Sequence, residues 1–174
     1  EPDPRVRAIV PISAVIDGDL QEDERRSPNA GFTADQLARA NAPVLLVGGT
    51  EDEDVPVQNN AIAFDQLVNA SALYRLDILG ANHTHFANVC TFGETLIANG
   101  IPESSWSDIG AADLREPYQQ TCTGDALAVK EVDRLLGLFV VAFLRHHLLG
   151  EAEYLQYLSA DFASREPLAE LQVR

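Results

Sequence analysis

The chain has 174 residues, enough for about one domain or the larger part of one, and 46% of them are hydrophobic and 22% charged. These values are typical of a globular protein and exclude a disordered tail, a collagen-like fibre and a disulfide-dense mini-protein. The 12 Lys and Arg residues against 27 Asp and Glu give a net charge of −15, which argues against binding to nucleic acid or to an anionic membrane.

Three short apolar stretches predict the strands of a parallel sheet. The first, near 6–12, is rich in β-branched residues and contains a proline. The second, near 43–48, is continuously apolar and stopped by glycines, as expected of a strand buried on both faces. The third, near 72–79, alternates more and favours a place nearer the edge. Because residues 57–69 between the last two strands have apolar residues at helical spacing, we expect a right-handed βαβ unit.

Further helices are predicted on both sides of this unit. Thr33 is a suitable N-cap for a short helix over 34–39. Residues 125–149 predict one long helix, whose apolar run is about half of the ~20 residues needed to cross a bilayer and therefore indicates a core helix. Residues 152–158 add a last turn or two. The stretch 87–120, with its Gly, Pro and Ser breaks, predicts a mixed, irregular region.

Three parallel strands with a terminal helix make an unusually thin α/β sheet. The sequence also lacks methionine, so we do not expect Glu1 to be a translation start. Both observations predict that residues 1–174 form a single C-terminal segment of a larger α/β domain. A partial sheet would expose an unpaired edge, which favours association, including homo-oligomers.

Two loops carry the candidate chemistry, because functional groups of open α/β sheets collect after the carboxyl ends of strands. The loop at 49–56 follows the second strand and contains four acidic residues. The loop at 80–86 follows the third strand and contains His83 and His85. Since one crossover joins these strands, we expect the two loops to lie side by side.

The two loop sequences resemble those of a known family. Gly-Thr-x-Asp-x-x-Val-Pro at 49–56, followed by Gly-Ala-x-His at 80–83, is similar to the acid and histidine loops of the α/β-hydrolase fold. More narrowly, the loops resemble those of its secreted branch of dienelactone hydrolases, platelet-activating-factor acetylhydrolases and cutinase-like polyester hydrolases. Residues 3–10 resemble the sixth strand of that fold and 141–150 its final helix. The resemblance covers most of this chain, but it corresponds only to the C-terminal half of the α/β-hydrolase fold.

This resemblance implies a catalytic acid and a catalytic base. Asp52 matches the acid of a Ser-His-Asp triad and His83 the base, with Asp54 and His85 as the reserve candidates. A histidine can take the proton of a nucleophile and return it to the leaving alcohol, and a carboxylate fixes the tautomer of the ring. The alternatives are a solvated loop carboxylate and a histidine whose hydrogen bonds are structural.

The nucleophile of such a triad is missing from the sequence. No serine or cysteine lies in a Gly-x-Ser-x-Gly type of elbow. In the resembled family the elbow and the oxyanion-hole amides come from earlier in the sequence. We therefore expect the serine in an N-terminal half of the fold, joined covalently or present as a separate chain. The alternatives are a truncated product that folds without catalysing, and a substitute serine such as Ser13.

The two cysteines, Cys90 and Cys122, leave two possibilities when taken alone: free thiols in a reducing compartment or one disulfide in an exported protein. The export typical of the resembled branch implies the disulfide and a secreted or periplasmic location. Such a bridge would attach the histidine loop to the long helix.

Metal sites are weaker hypotheses. His83, His85 and Cys90 could supply zinc ligands, although their spacing matches no recognised motif. The acidic segment 17–26 faintly resembles a calcium loop but lacks the ligand order of an EF-hand, so a solvated loop is predicted.

Two other features have structural explanations. The pair His146 and His147 predicts favourable positive charge at the end of the long helix. Trp106 either borders an acyl pocket or packs under a loop.

The sequence as a whole predicts a carboxylic ester hydrolase that acts on a small ester by Ser-His-Asp acyl transfer. No cofactor, nucleic-acid partner or membrane is implied. The main alternative is a non-catalytic α/β binding or assembly module, and a zinc-dependent hydrolase is a second one.

Overall fold

The computed structural model describes residues 3–16 and 31–174. The strands are β1 (Val44–Gly49), β2 (Leu73–Ile78) and β3 (Ala169–Val173). The α-helices are α1 (Ala34–Leu37), α2 (Gln58–Gln66), α3 (Val89–Ala98), α4 (Arg115–Cys122), α5 (Val129–Leu149) and α6 (Ala160–Ala163). Short 3₁₀ helices cover His83–Phe86, Glu103–Ile109, Ala112–Leu114 and Ala152–Leu158. The predicted acidic loop and faint calcium motif at 17–26 lie outside the described residues.

The described strands form one mixed sheet in the order β1-β2-β3. β1 and β2 are parallel and are joined through α2, so the predicted α/β class is confirmed and the βαβ unit is present. β3 pairs antiparallel with β2, whereas the sequence predicts three parallel strands and no strand near the C-terminus. β3 escapes prediction because it has five residues, of which Ala169 and Leu171 alone are buried, too few to define an alternating apolar pattern.

The predicted first strand, 6–12, lies parallel to β1 but is not a continuous strand. It pairs through two isolated bridges, Ile9–Val44 and Ile12–Val47. The rung between these bridges would need an N–H at position 11, and Pro11 has none. The ladder resumes at the carbonyl of Pro11, which accepts from the N–H of Val47 at 3.0 Å, and continues at Ser13, whose N–H donates to the carbonyl of Val47 at 2.9 Å. The segment therefore reaches the end of β1 and delivers Ser13 there.

The sheet separates two apolar layers. One face contacts α5, the predicted long helix, which begins at Val129 rather than at 125. The buried side chains of this layer include Leu45, Val47, Leu76, Ile78, Leu135, Phe139 and Phe143. The other face packs against α1 and α2 through Leu46, Leu73, Leu37 and Ala63. Each fully buried Leu or Phe contributes about 1.5–3 kcal/mol to stability, so these layers fix β1 and β2 rigidly. None of the helices in the described part of the chain combines the length and apolar character needed to cross a membrane.

The end of α5, at Leu149, contains the predicted histidine pair. His147 packs against Phe143, with ring centroids 4.8 Å apart, and its Nε2 lies 3.3 Å from the hydroxyl of Tyr74. Burial lowers the pKa of His147 below its usual value, and the neighbouring His146 lowers it further. Both histidines thus lie in the last turn of α5, as predicted, while burial opposes a positive charge on His147.

The region 87–120, predicted to be irregular, contains α3 and α4. The predicted disulfide is confirmed: Cys90 in α3 and Cys122 at the end of α4 are bonded, with Cα atoms 5.4 Å apart. The bridge ties α3 to α4, so the expectation that it would attach the histidine loop to the long helix α5 is wrong. The two helices thus form one covalently closed unit beside the histidine loop.

A small aromatic cluster fills this unit. Trp106 is fully buried and meets Tyr118 edge-on, with ring centroids 5.2 Å apart. Gly93 of α3 leaves the space for these rings, because a Cβ there would lie 2.4 Å from the Tyr118 ring. Trp106 thus packs between α3 and α4, and a place beside an acyl pocket stays a prediction.

Candidate active site

The acid loop and the histidine loop lie side by side, as the single crossover between their strands predicts. The N–H of Thr50 donates to the carbonyl of Ile78 at 3.1 Å, and the N–H of Glu51 donates to that of Ala81 at 3.0 Å. Gly49 makes this approach possible, because a Cβ there would lie 2.1 Å from the Ala81 oxygen. The two turns are therefore in direct backbone contact.

Asp52 is held in a fixed orientation inside the acid loop. Its side chain has no exposed surface. Oδ1 accepts a hydrogen bond from the N–H of Val55 at 2.7 Å, within the same turn. Oδ2 accepts a hydrogen bond from the hydroxyl of Ser13 and lies 3.1 Å from Nδ1 of His83. A buried carboxylate with partners on both oxygens is a defined acceptor rather than a solvated loop charge.

His83 lies at the start of the 3₁₀ helix that follows β2. Asn82 caps this helix by accepting a hydrogen bond from the N–H of His85. Nδ1 of His83 faces Asp52, whereas 40% of the side chain is exposed. Within the described part of the chain, no protein group forms a hydrogen bond with Nε2 of His83. One ring nitrogen is thus committed to the carboxylate and the other is available to a reacting group.

The reserve candidates occupy different positions. His85 is buried and donates from Nε2 to the carbonyl of Leu127 at 2.8 Å, while its Nδ1 accepts from the N–H of Asn82 at 3.0 Å. Both nitrogens of His85 therefore anchor the turn. Asp54 is exposed, although it lies near His83.

The turn that contains His83 is also fixed from outside. The side-chain oxygen of Asn82 accepts hydrogen bonds from Thr84 at 3.1 Å and from Thr121 of α4 at 3.2 Å. The hydroxyls of Thr84 and Thr121 are in direct contact. Because α4 is closed by the disulfide, the covalent unit of α3 and α4 supports the position of the histidine.

The zinc ligands suggested by the sequence do not come together. The sulfur of Cys90 belongs to the disulfide, and both nitrogens of His85 have hydrogen-bond partners. A different set, Asp52, Asp54 and His83, has ligand atoms within 4.8 Å of one another. Both oxygens of Asp52 already accept hydrogen bonds, however, so a cation would have to compete with the partners described above.

A cavity of about 840 Å³ opens beside His83. Its walls come from both loops, from α4 and from the residues before α5. Five carboxylates line it: Glu51, Glu53, Asp54, Asp113 and Glu116. This negative lining disfavours anionic molecules and is compatible with neutral or cationic ones.

Ser13 also belongs to the site, but its contacts differ from those of the nucleophile that the sequence suggested. Its hydroxyl donates to Oδ2 of Asp52 and lies 2.8 Å from Nδ1 of His83, on the side of the ring that faces the acid. The sequence suggested Ser13 only as a substitute nucleophile. No sequence signal predicts the observed contact, because it depends on a left-handed backbone conformation at Ser13, with φ 45°.

No protein-family model matches the chain, and no curated protein matches it. The similarity of the two loop motifs to those of α/β-hydrolases therefore depends on the quoted residues alone.

Proposed function

We propose that the protein is a serine carboxylic ester hydrolase in which this chain supplies the acid and the base. One observation carries the proposal: Nδ1 of His83 lies 3.1 Å from the buried carboxylate of Asp52, while part of the ring is exposed beside the cavity. This arrangement suits a general base whose orientation is fixed by an acid. The resemblance of the two loops to those of α/β-hydrolases agrees with it.

The proposed reaction is acyl transfer in two steps. Nε2 of His83 removes the proton of a serine hydroxyl as its oxygen attacks the ester carbonyl, and then protonates the leaving alkoxide. Asp52 stabilises the imidazolium that forms in between. Water, deprotonated by the same nitrogen, then releases the carboxylic acid and regenerates the serine. The chemistry needs no cofactor.

The serine belongs to a segment outside this chain. No serine of the sequence lies in a glycine elbow, and Ser13 contacts Nδ1 rather than Nε2. An N-terminal half of the fold, covalently joined or separate, is the expected source of the nucleophile and of the oxyanion-hole amides.

The substrate and the location follow from charge and from the disulfide. We expect a small neutral or cationic ester, because five carboxylates line the cavity beside His83. The bond between Cys90 and Cys122 favours an oxidising compartment, which fits a secreted or periplasmic protein.

The test uses the complete protein and a short-chain p-nitrophenyl ester. We expect His83→Ala to abolish turnover while circular dichroism and the melting temperature show retained folding. His146→Ala serves as the matched control, because His146 lies at the far end of α5 and should not affect turnover. Unchanged turnover in His83→Ala would contradict the proposal, and a complete protein without any esterase activity would favour the non-catalytic module.

A zinc-dependent hydrolase is the second candidate, and the cluster of Asp52, Asp54 and His83 is the observation that favours it. The two mechanisms differ in their response to a chelator. A serine hydrolase keeps its turnover after metal removal, whereas a zinc enzyme loses it and regains it with added zinc. Metal analysis of the purified protein provides the independent check.

A further inference from the structure

We infer that Ser13 is a positioning residue of the Asp52–His83 pair: its hydroxyl donates a hydrogen bond to the carboxylate and accepts one from Nδ1–H of His83, which leaves Nε2 as the basic nitrogen. The inference rests on the proposed function and adds a residue to that site. It starts from three contacts that enclose Oδ2 of Asp52, Nδ1 of His83 and Oγ of Ser13.

The direction of each hydrogen bond follows from counting protons. An ionised carboxylate can only accept, so the Ser13 hydroxyl must donate its single proton to Asp52. Having donated that proton, Oγ can only accept at its 2.8 Å contact with Nδ1 of His83. The contact between Nδ1 and Asp52 needs a proton on the same nitrogen. Both neighbours therefore require the Nδ1–H tautomer, in which the neutral ring has its lone pair on Nε2.

The same geometry argues against Ser13 as the nucleophile. A nucleophilic serine must give its proton to an unprotonated nitrogen, and the Nδ1 that Ser13 contacts already holds one. Ser13 is also buried and does not belong to the lining of the cavity. Its hydroxyl is placed to support the acid, at the end of the ring opposite to the expected ester.

The backbone at Ser13 supports a functional explanation for the side chain. In the described part of the chain, Ser13 is the one non-glycine residue with a positive φ, which is 45°. Its N–H remains bonded to the carbonyl of Val47 at 2.9 Å. Glycine would adopt this conformation without strain, yet the position has a side chain whose hydroxyl contacts both members of the pair. Strain that persists at such a position is characteristic of functional sites.

The test compares Ser13→Ala with Ser13→Gly. Both variants lose the hydroxyl, but only alanine keeps the strained conformation, so the glycine variant should be the more stable of the two. If the hydroxyl positions the pair, both variants of the complete protein lose kcat for the p-nitrophenyl ester by about tenfold or more with little change in KM. If Ser13 contributes only to the stability of the fold, the loss of kcat should parallel the loss of unfolding free energy and appear mainly in Ser13→Ala. That second pattern would overturn the inference.

A second readout needs no catalysis. In protein labelled with ¹⁵N-histidine, the Nδ1 proton of His83 is observed by NMR and assigned with His83→Gln. Loss of the Ser13 hydroxyl should accelerate its exchange with water by about tenfold in both variants. Ser71→Ala is the matched control, because Ser71 is an exposed serine remote from the loops, and it should leave the exchange unchanged.

The outcomes separate this inference from the proposed function. A complete protein without esterase activity contradicts the proposed function, while the exchange of the Nδ1 proton still tests the role of Ser13. Unchanged exchange in both Ser13 variants overturns the inference even if His83→Ala abolishes turnover. Covalent labelling of Ser13 by a fluorophosphonate probe also overturns it, since the label would identify Ser13 as the nucleophile.

Discussion

Nδ1 of His83 lies 3.1 Å from Oδ2 of Asp52, although 31 positions separate the two residues in the sequence. They meet because each follows the carboxyl end of a strand, and β1 and β2 are parallel neighbours. The contact is asymmetric: the Asp52 side chain has no exposed surface, whereas 40% of the His83 side chain is exposed. Burial thus distinguishes Asp52 from the exposed Asp54 two positions later.

The first prediction concerns these two carboxylates. Asp52→Asn should lower kcat by about 10³–10⁴-fold, because an amide can stabilise the wrong tautomer of the histidine. Asp54→Asn should retain most of the turnover, since Asp54 is exposed and makes no hydrogen bond to His83 among the described residues. Steady-state kinetics of the complete protein test both variants. An equal loss in Asp54→Asn would assign the acid to Asp54 or favour the metal cluster.

The second prediction concerns two glycines. Gly93→Ala should destabilise the protein by about 1–3 kcal/mol, because the new Cβ would lie 2.4 Å from the Tyr118 ring. Gly137→Ala, inside α5, where no atom beyond the adjacent helix backbone lies within 4 Å of the new Cβ, should instead stabilise the protein by about 0.5–1 kcal/mol. Urea unfolding measures both changes. If both substitutions changed the unfolding free energy in the same direction, the result would contradict the described packing of α3 against α4.

The third prediction concerns the disulfide. The double variant Cys90→Ala with Cys122→Ala should lose about 3–4 kcal/mol of unfolding free energy, because the unfolded chain regains the freedom of a 32-residue loop. Urea unfolding of the double variant and of reduced wild-type protein should agree. A loss below about 1 kcal/mol would contradict the chain-entropy estimate for this loop.

The fourth prediction concerns pH. Burial lowers the pKa of His147 in the folded protein, so the unfolded chain binds this proton more readily. The resulting stability is fully present above the ordinary histidine pKa of about 6.5 and is lost as the pH falls through and below that value. His147→Gln should therefore reduce the loss of stability between pH 7 and pH 5, measured by urea unfolding at each pH.

A comparison variant makes the pH prediction specific. His146→Gln removes the second and smaller cause of the lowered pKa, so it should reduce the pH dependence only in part. Identical pH profiles for wild type and His147→Gln would contradict the assignment.

The parts of the fold that depend on local pattern were predictable from the sequence. All six residues of β1 are buried, as its uninterrupted apolar run predicts. The spacing of apolar residues predicted α5, whose observed bounds are Val129–Leu149. The adjacency of the two loops followed from a general rule, since one right-handed crossover brings the ends of parallel strands together.

The parts that depend on single backbone groups were not predictable. The sequence contains Pro11, but the missing rung could be located only once the register against β1 was known. The role of Ser13 is a second example. Its contacts with Asp52 and His83 require a positive φ, which residues other than glycine rarely adopt, so no propensity or motif indicates it.

The covalent closure between Cys90 and Cys122 has a consequence for limited proteolysis. Residues 107–110 lie within the enclosed stretch and are all exposed, so a protease can reach the backbone there. One cut at this site would produce two polypeptides that remain attached by the sulfur–sulfur bond. The nicked protein should migrate as a single band without reductant and as two fragments after reduction, because the fragment that contains the histidine turn is bonded to the other one through Cys90 and Cys122.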